Sequence, residues 1–114
     1  MSNDPVQELV ARVRADLRAA QHRRDRAAMS PLREILSVVD NAGAVEAPQG
    51  HDYTGMAPTE APRREVTISE IRARLRASID ERLEAAGTYR ALQQHDHADE
   101  LEREAAALAA YIDA

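Results

Sequence analysis

A chain of 114 residues holds one domain of ordinary size, and this one has no cysteine, 44% apolar residues and three aromatic side chains, all Tyr. Without cysteine there is neither a disulfide framework nor a thiolate metal centre, and no apolar run approaches the roughly 20 residues of a membrane span. The formal net charge is −5, from 20 acids and 15 cations, and every cation is Arg.

That charge is segregated along the chain. Residues 9–33 hold seven Arg against Asp16 and Asp25, whereas residues 34–62 contain five acids and no base. Residues 63–83 are mildly basic, and residues 84–114 hold seven acids against two Arg. Codon bias in a GC-rich genome accounts for Arg-only usage together with the 23 alanines; a surface for phosphate, matched by the Arg fork, is the functional alternative. A basic first third beside an acidic last third reads as internal pairing between neighbouring helices, as solvated faces, or as an external anion site.

In chain order, Asp4-Pro5 marks a helix start, with a capping carboxylate followed by Pro at the first helical position. Leu9, Val13, Leu17 and Ala20 then recur at intervals of three or four, predicting an amphipathic helix over about 5–21. The polar run from Gln21 to Asp25 reads as a connection. A second stripe of Met29, Leu32, Ile35 or Leu36, and Val39 predicts a helix over about 26–41, with Asp25 placed to cap it. Pro31 offers a competing start or a disturbed first turn. Asn41-Ala42-Gly43 supplies the stop.

Residues 43–66 carry Gly43, Pro48, Gly50, Gly55, Pro58 and Pro62 without apolar periodicity, and predict a long Pro/Gly-rich linker. Thr67-Ile68-Ser69-Glu70 then fits the capping box, with Val66 and Ile71 placed as a hydrophobic staple. The stripe Ile68, Ile71, Leu75, Ile79, Leu83 (or Arg82), Ala86, Tyr89 keeps its phase through Gly87, so a single long helix is expected over about 68–93. After a break at Gln94-His95-Asp96, with Asp96 as the expected cap, Ala98, Leu101, Ala105, Leu108 and Ile112 predict a last helix over about 97–112. The expected fold is therefore all-α: a single four-helix domain spanning 1–114, whose last two helices form an antiparallel hairpin.

The residues offer little chemistry. His95-Asp96-His97 is the one metal-like cluster, but a spacing of two directs the rings to different sides of a helix, and it reads as a solvated cap. His51-Asp52 has no partner visible in sequence. No Gly-flanked Ser is present, and the serines read as caps or surface residues. No carboxylate pair stands in an apolar setting that would raise its pKa. No catalytic residue, metal or cofactor is expected. Arg12, Arg18, Arg23, Arg24 and Arg26 are the candidate contacts for an anion or RNA; without aromatic platforms such contacts would be backbone-directed and salt-sensitive.

The order of these elements carries a resemblance. It comprises the amphipathic first helix, Leu32-Arg33 opening the core of the second, and Val66-Thr67-Ile68-Ser69-Glu70-Ile71 leading a long Arg-rich helix. It ends in His97-Ala98-Asp99-Glu100-Leu101-Glu102-Arg103-Glu104-Ala105, with Tyr111-Ile112 at the close. Together these resemble the N-terminal helical domain of the GatB/YqeY family, with Tyr89 at the family's aromatic position. The resemblance implies a relation to the tail domain of glutamine-dependent tRNA amidotransferases, which amidate misacylated tRNA. It also implies the label of carbon–nitrogen ligase with glutamine as amido-N-donor, although no catalytic residue carries over. Family members usually follow a terminal Tyr-Leu with Pro and a second, smaller helical domain; here the sequence closes on Tyr111-Ile112-Asp113-Ala114, so only the first domain is expected. The implied role is an accessory module engaging tRNA or an acidic protein surface. A structural module for protein contacts or homo-oligomerisation is the alternative. The Met-Ser-Asn-Asp-Pro start has no leader character, so the expected location is cytoplasmic.

Overall fold

The computed structural model describes residues 4–44 and 65–112. It contains four α-helices, α1 (Pro5–Arg23), α2 (Arg26–Gly43), α3 (Ile68–Ala91) and α4 (His95–Ala109), and no strand among the described residues. This is the all-α domain expected, and α3 and α4 pair as an extensive antiparallel hairpin. The predicted linker falls almost wholly on residues 45–64, outside the described residues.

Local chemistry sets the helix starts. Asp4 accepts a hydrogen bond from the Val6 amide at 2.9 Å, Asp25 from the Ala28 amide at 3.1 Å, and Thr67 from the Glu70 amide at 3.2 Å. Each satisfies one of the amides that a helix start leaves without an internal partner. The fourth start differs from expectation. The residue preceding α4 is Gln94, which makes no side-chain capping bond, and Asp96 lies inside the first turn, where its charge suits the helix dipole.

Two ends are closed by non-glycine residues in the left-handed region. Arg24 (φ 59°) ends α1, where the Asp25 amide donates to the Ala20 carbonyl and the Arg24 amide to that of Gln21. Gln93 (φ 64°) ends α3 in the same way, with Gln94 donating to Tyr89 and Gln93 to Arg90. Both are Schellman closures without the usual glycine, so they are compact turns. The connection between α1 and α2 is accordingly only Arg24-Asp25, and Gln21–Arg23, expected in the turn, complete α1. Pro31 sits within α2, and the helix runs through it: the Ala27 carbonyl loses its amide partner, but Ala27 is exposed to water. Gly87 likewise lies inside a continuous α3.

The core is built from one stripe of each helix. Val13, Ile35, Ile71, Leu75 and Leu108 are its fully buried large side chains, with Val6, Leu9, Val10, Leu32, Ile79, Ala105 and Ile112 around them. Each large aliphatic contributes about 1.5–3 kcal/mol by burial, so this modest set suffices for a small domain. Ile35 rather than Leu36 takes the inner position on α2. Ala86 and Ala98 are also buried, but they lie outside this core cluster. They let α3 and α4 approach closely toward the end of the hairpin, where Tyr89 stacks on His97 with centroids 4.0 Å apart.

Candidate functional site

On α3 the expected alternatives at the inner position were Leu83 and Arg82, and the structure places Arg82 there. Leu83 is 48% exposed, whereas the Arg82 side chain is 20% exposed between α2 and α4. Arg82 Nε donates to Glu104 Oε1 at 3.0 Å, its NH1 to Glu34 Oε2 at 3.2 Å, and its NH2 to Glu34 Oε1. NH1 also donates to the Ser78 hydroxyl, which in turn donates to Glu34. Ser78, expected at the surface, is thus half-buried inside a network joining three helices. Burial pulls the Arg82 guanidinium down, but the bonds to Glu34 and Glu104 outweigh it and hold the group above its ordinary value.

A second cation holds the end of the hairpin. Arg90 NH2 donates to Asp99 at 2.8 Å and to Glu102 at 2.9 Å, and NH1 lies 3.2 Å from His95 Nδ1. The hydrogen bond from Arg90 holds the Asp99 carboxyl below its usual range. His95 and His97 are directed apart, one to Arg90 and Gln93, the other onto Tyr89. Among the described residues no three His, Asp or Glu side chains converge as a metal centre would require.

The five predicted anion contacts divide into groups. At about 100° per residue, Arg12 and Arg18 lie some 120° apart around α1, so the five do not share one face. Arg12 covers the Tyr111 ring, its guanidinium carbon 4.5 Å from the centroid, and the Tyr111 hydroxyl donates to Asp16 at 2.5 Å. Burial, then the bond to Asp16 and its charge, push the Tyr111 hydroxyl up to about 12, partly opposed by Arg12. Arg12 therefore fastens the segment that follows α4 to α1. Arg23 has a loose, exposed pair with Asp25 at 3.5 Å. Arg18, Arg24 and Arg26 are exposed, and among the described residues none has a carboxylate within ion-pair distance. All three stand at or near the α1–α2 turn.

Arg33, which sequence reading assigned only to the opening of the second helix's core, is exposed at the same end. Its NH2 rests 3.8 Å from Met29 Sδ, and it lines a groove on α2 with Arg26, Met29 and Ser30. Its spacing of seven from Arg26, two turns on one stripe, was the available signal. Residues 18–33 thus form a basic elbow of five Arg with a single acid, Asp25. Beside it, a cleft of about 330 Å³ opens between α1, α2 and α4, walled by Ala19, Ala28, Pro31, Ala107 and Ala110.

Family models, curated proteins and solved structures were all compared with the chain, and none matches. The described residues have no buried polar or charged side chain, so no carboxylate pair is held there in an apolar setting. No described helix is long and apolar enough to cross a membrane. What the arrangement offers chemically is exposed guanidinium groups in a short, compact turn.

Proposed function

We propose that this chain is a binding module of the GatB/YqeY type, without catalytic chemistry of its own, that contacts the phosphate backbone of tRNA through the α1–α2 elbow. One observation supports this reading best. Three acids of the last third are engaged by α3, Glu104 on Arg82 and Asp99 and Glu102 on Arg90, and among the described residues none of the last third's acids pairs with an elbow arginine. Arg18, Arg24, Arg26 and Arg33 are left for an external anion, with Arg23 loosely held beside them. Arg suits phosphate because its planar fork gives two parallel charge-assisted bonds. Recognition would follow backbone position rather than base identity, since no exposed elbow side chain is Phe, Tyr or Trp and the one imidazole is His22.

The test is an electrophoretic mobility shift with bulk tRNA across a salt series. If the elbow engages about three phosphates, the logarithm of affinity falls with the logarithm of salt at a slope of about −2 to −3. Absence of a shift even at low salt removes the RNA reading.

A second reading, self-association or docking on another helical protein, is favoured by Leu83 and Leu92, which are 48% and 60% exposed at α3 and its end. Sedimentation over a concentration series decides it: a species that stays monomeric throughout removes self-association.

A further inference from the structure

The geometry points to Arg26, Ser30 and Arg33 on α2 as a phosphate subsite. The inference rests on the backbone-contact reading for its setting and deepens it by naming where a phosphoryl group sits. Residues at i, i+4 and i+7 lie within about 60° of one another around a helix, so the three side chains rise from one stripe of the exposed face. The structure bears this out, because Arg26, Met29, Ser30 and Arg33 line one groove. Half-buried Met29 forms its floor and sets the direction of Arg33. The contact of Arg33 NH2 with Met29 Sδ turns that guanidinium toward the start of the helix, and therefore toward Arg26.

Neither cation is neutralised. Among the described residues no carboxylate lies within ion-pair distance of Arg26 or Arg33; the neighbouring Glu34 is bound to Arg82 and Ser78. The Asp25 carboxylate stands at the same end of α2, but it accepts the Ala28 amide and faces Arg23. Two guanidinium forks and one hydroxyl offer more donors than a carboxylate can accept, and they match a group with three or more acceptor oxygens. That chemistry is a phosphoryl group. Its source is either a phosphodiester of an RNA strand or a free phosphate compound.

The experiment uses the full chain and two probes. Inorganic pyrophosphate is titrated against ¹⁵N-labelled protein, following the amides of residues 26–33 and the Arg side-chain resonances, and bulk tRNA binding is measured over a salt series. The variants are Arg33→Gln, Arg26→Gln, Arg33→Lys and, as elbow control, Arg18→Gln; the three side chains replaced are exposed, so helicity should match the parent. Saturable pyrophosphate shifts on α2 are expected, weakened at least about fivefold in Arg33→Gln and Arg26→Gln, retained in Arg18→Gln and partly kept in Arg33→Lys. With tRNA, Arg33→Gln should reduce the magnitude of the salt slope by about one.

If tRNA binds and Arg18→Gln weakens it while Arg33→Gln and Arg26→Gln leave affinity within about twofold, the subsite is wrong and the RNA reading stands. If tRNA does not bind but pyrophosphate shifts α2 and loses its effect in Arg33→Gln, the RNA reading is wrong and the subsite serves a free phosphate compound. If neither probe binds, both are wrong.

Discussion

Replacing Arg82 tests whether a single half-buried cation holds three helices together. The guanidinium is shared by Glu34 of α2 and Glu104 of α4, with side-chain exposures of 20% for Arg82, 26% for Glu34 and 34% for Glu104. Fully exposed pairs contribute about 0.2–1 kcal/mol, and breaking a fully buried one costs about 3–5 kcal/mol. Partial burial places Arg82→Ala between these limits, at about 2–3 kcal/mol. Some of that is the aliphatic stem, which packs between the helices. Arg82→Met keeps the stem and removes the charge, so about 1.5–2 kcal/mol should remain, because Glu34 and Glu104 are then left facing each other without a cation.

Urea unfolding followed by circular dichroism reads these values, provided the slope with denaturant is unchanged. The triple variant Glu34→Gln/Arg82→Met/Glu104→Gln separates attraction from the cost of stranded charge. It should recover to within about 1 kcal/mol of the parent, since no carboxylate is left unpaired. A double-mutant cycle on Arg82 and Glu34 should give coupling of about 1 kcal/mol or more, and the exposed Arg90–Asp99 pair much less. An Arg82→Met cost below about 0.5 kcal/mol with no coupling to Glu34 would refute the network as a structural clamp.

Three further outcomes follow from local geometry. In an alkaline titration at 295 nm, one tyrosine of the three should ionise late, near 12, and Tyr111→Phe should remove that phase. Because the folded value lies above the unfolded one, the associated stability is complete below about pH 10 and is lost as pH rises toward 12; a single step near 10 with helicity intact contradicts this. Gly87→Ala should stabilise by about 0.5–1 kcal/mol, since an added Cβ meets nothing within 4 Å and the residue is inside α3; a lower melting temperature would count against it. Gln93→Gly should raise stability by up to about 1 kcal/mol by relieving a non-glycine left-handed turn (φ 64°), and a loss of helicity in thermal melts would argue otherwise.

The fold was largely legible because its signals are local. Asp4, Asp25 and Thr67 cap the helices they were expected to cap, and the apolar stripes identified Val13, Leu75 and Leu108 as core while leaving Ile35 and Leu36 as alternatives on α2. Errors arose where a local rule has two solutions. Asp96 looks like a cap, but the Schellman closure at Gln93 turns the chain within three residues and starts α4 at His95. The Leu83/Arg82 ambiguity could not be settled by hydropathy, since an aliphatic stem with a paired head fills an inner position as well as Leu does. Only the opposed carboxylates of Glu34 and Glu104 make Arg the better occupant, and their proximity is tertiary. The candidate site was less legible for the same reason. Sequence grouped Arg12 with the elbow arginines because they share a charged stretch, whereas Arg12 covers the Tyr111 ring 99 positions further along the chain.

Arginine thus plays two roles here, and the local supply of carboxylate decides which. On α3, neighbours from α2 and α4 offer acids to Arg82, and the first turns of α4 offer two to Arg90, so these residues join helices. At the elbow Asp25 is the one acid of residues 18–33, and it caps α2 and loosely holds Arg23, while Asp16 at the neighbouring cleft accepts the Tyr111 hydroxyl. The net charge of −5 is therefore a poor guide to what the elbow meets. Ala107 and Ala110 border the cleft beside Ala28; the nearer acids Glu104 and Glu102 are bound to Arg82 and Arg90, and the next, Glu100, lies seven residues before Ala107, about 10 Å along α4. That exceeds the Debye length of about 8 Å at physiological salt, so a phosphate at the elbow is largely screened from the acidic end of the hairpin. At low salt the screening fails, and the overall negative charge opposes the approach of a polyanion even while close contacts strengthen. Salt should therefore act on the RNA complex mainly through a faster dissociation rate, with the association rate nearly flat, unlike a uniformly basic protein in which both change.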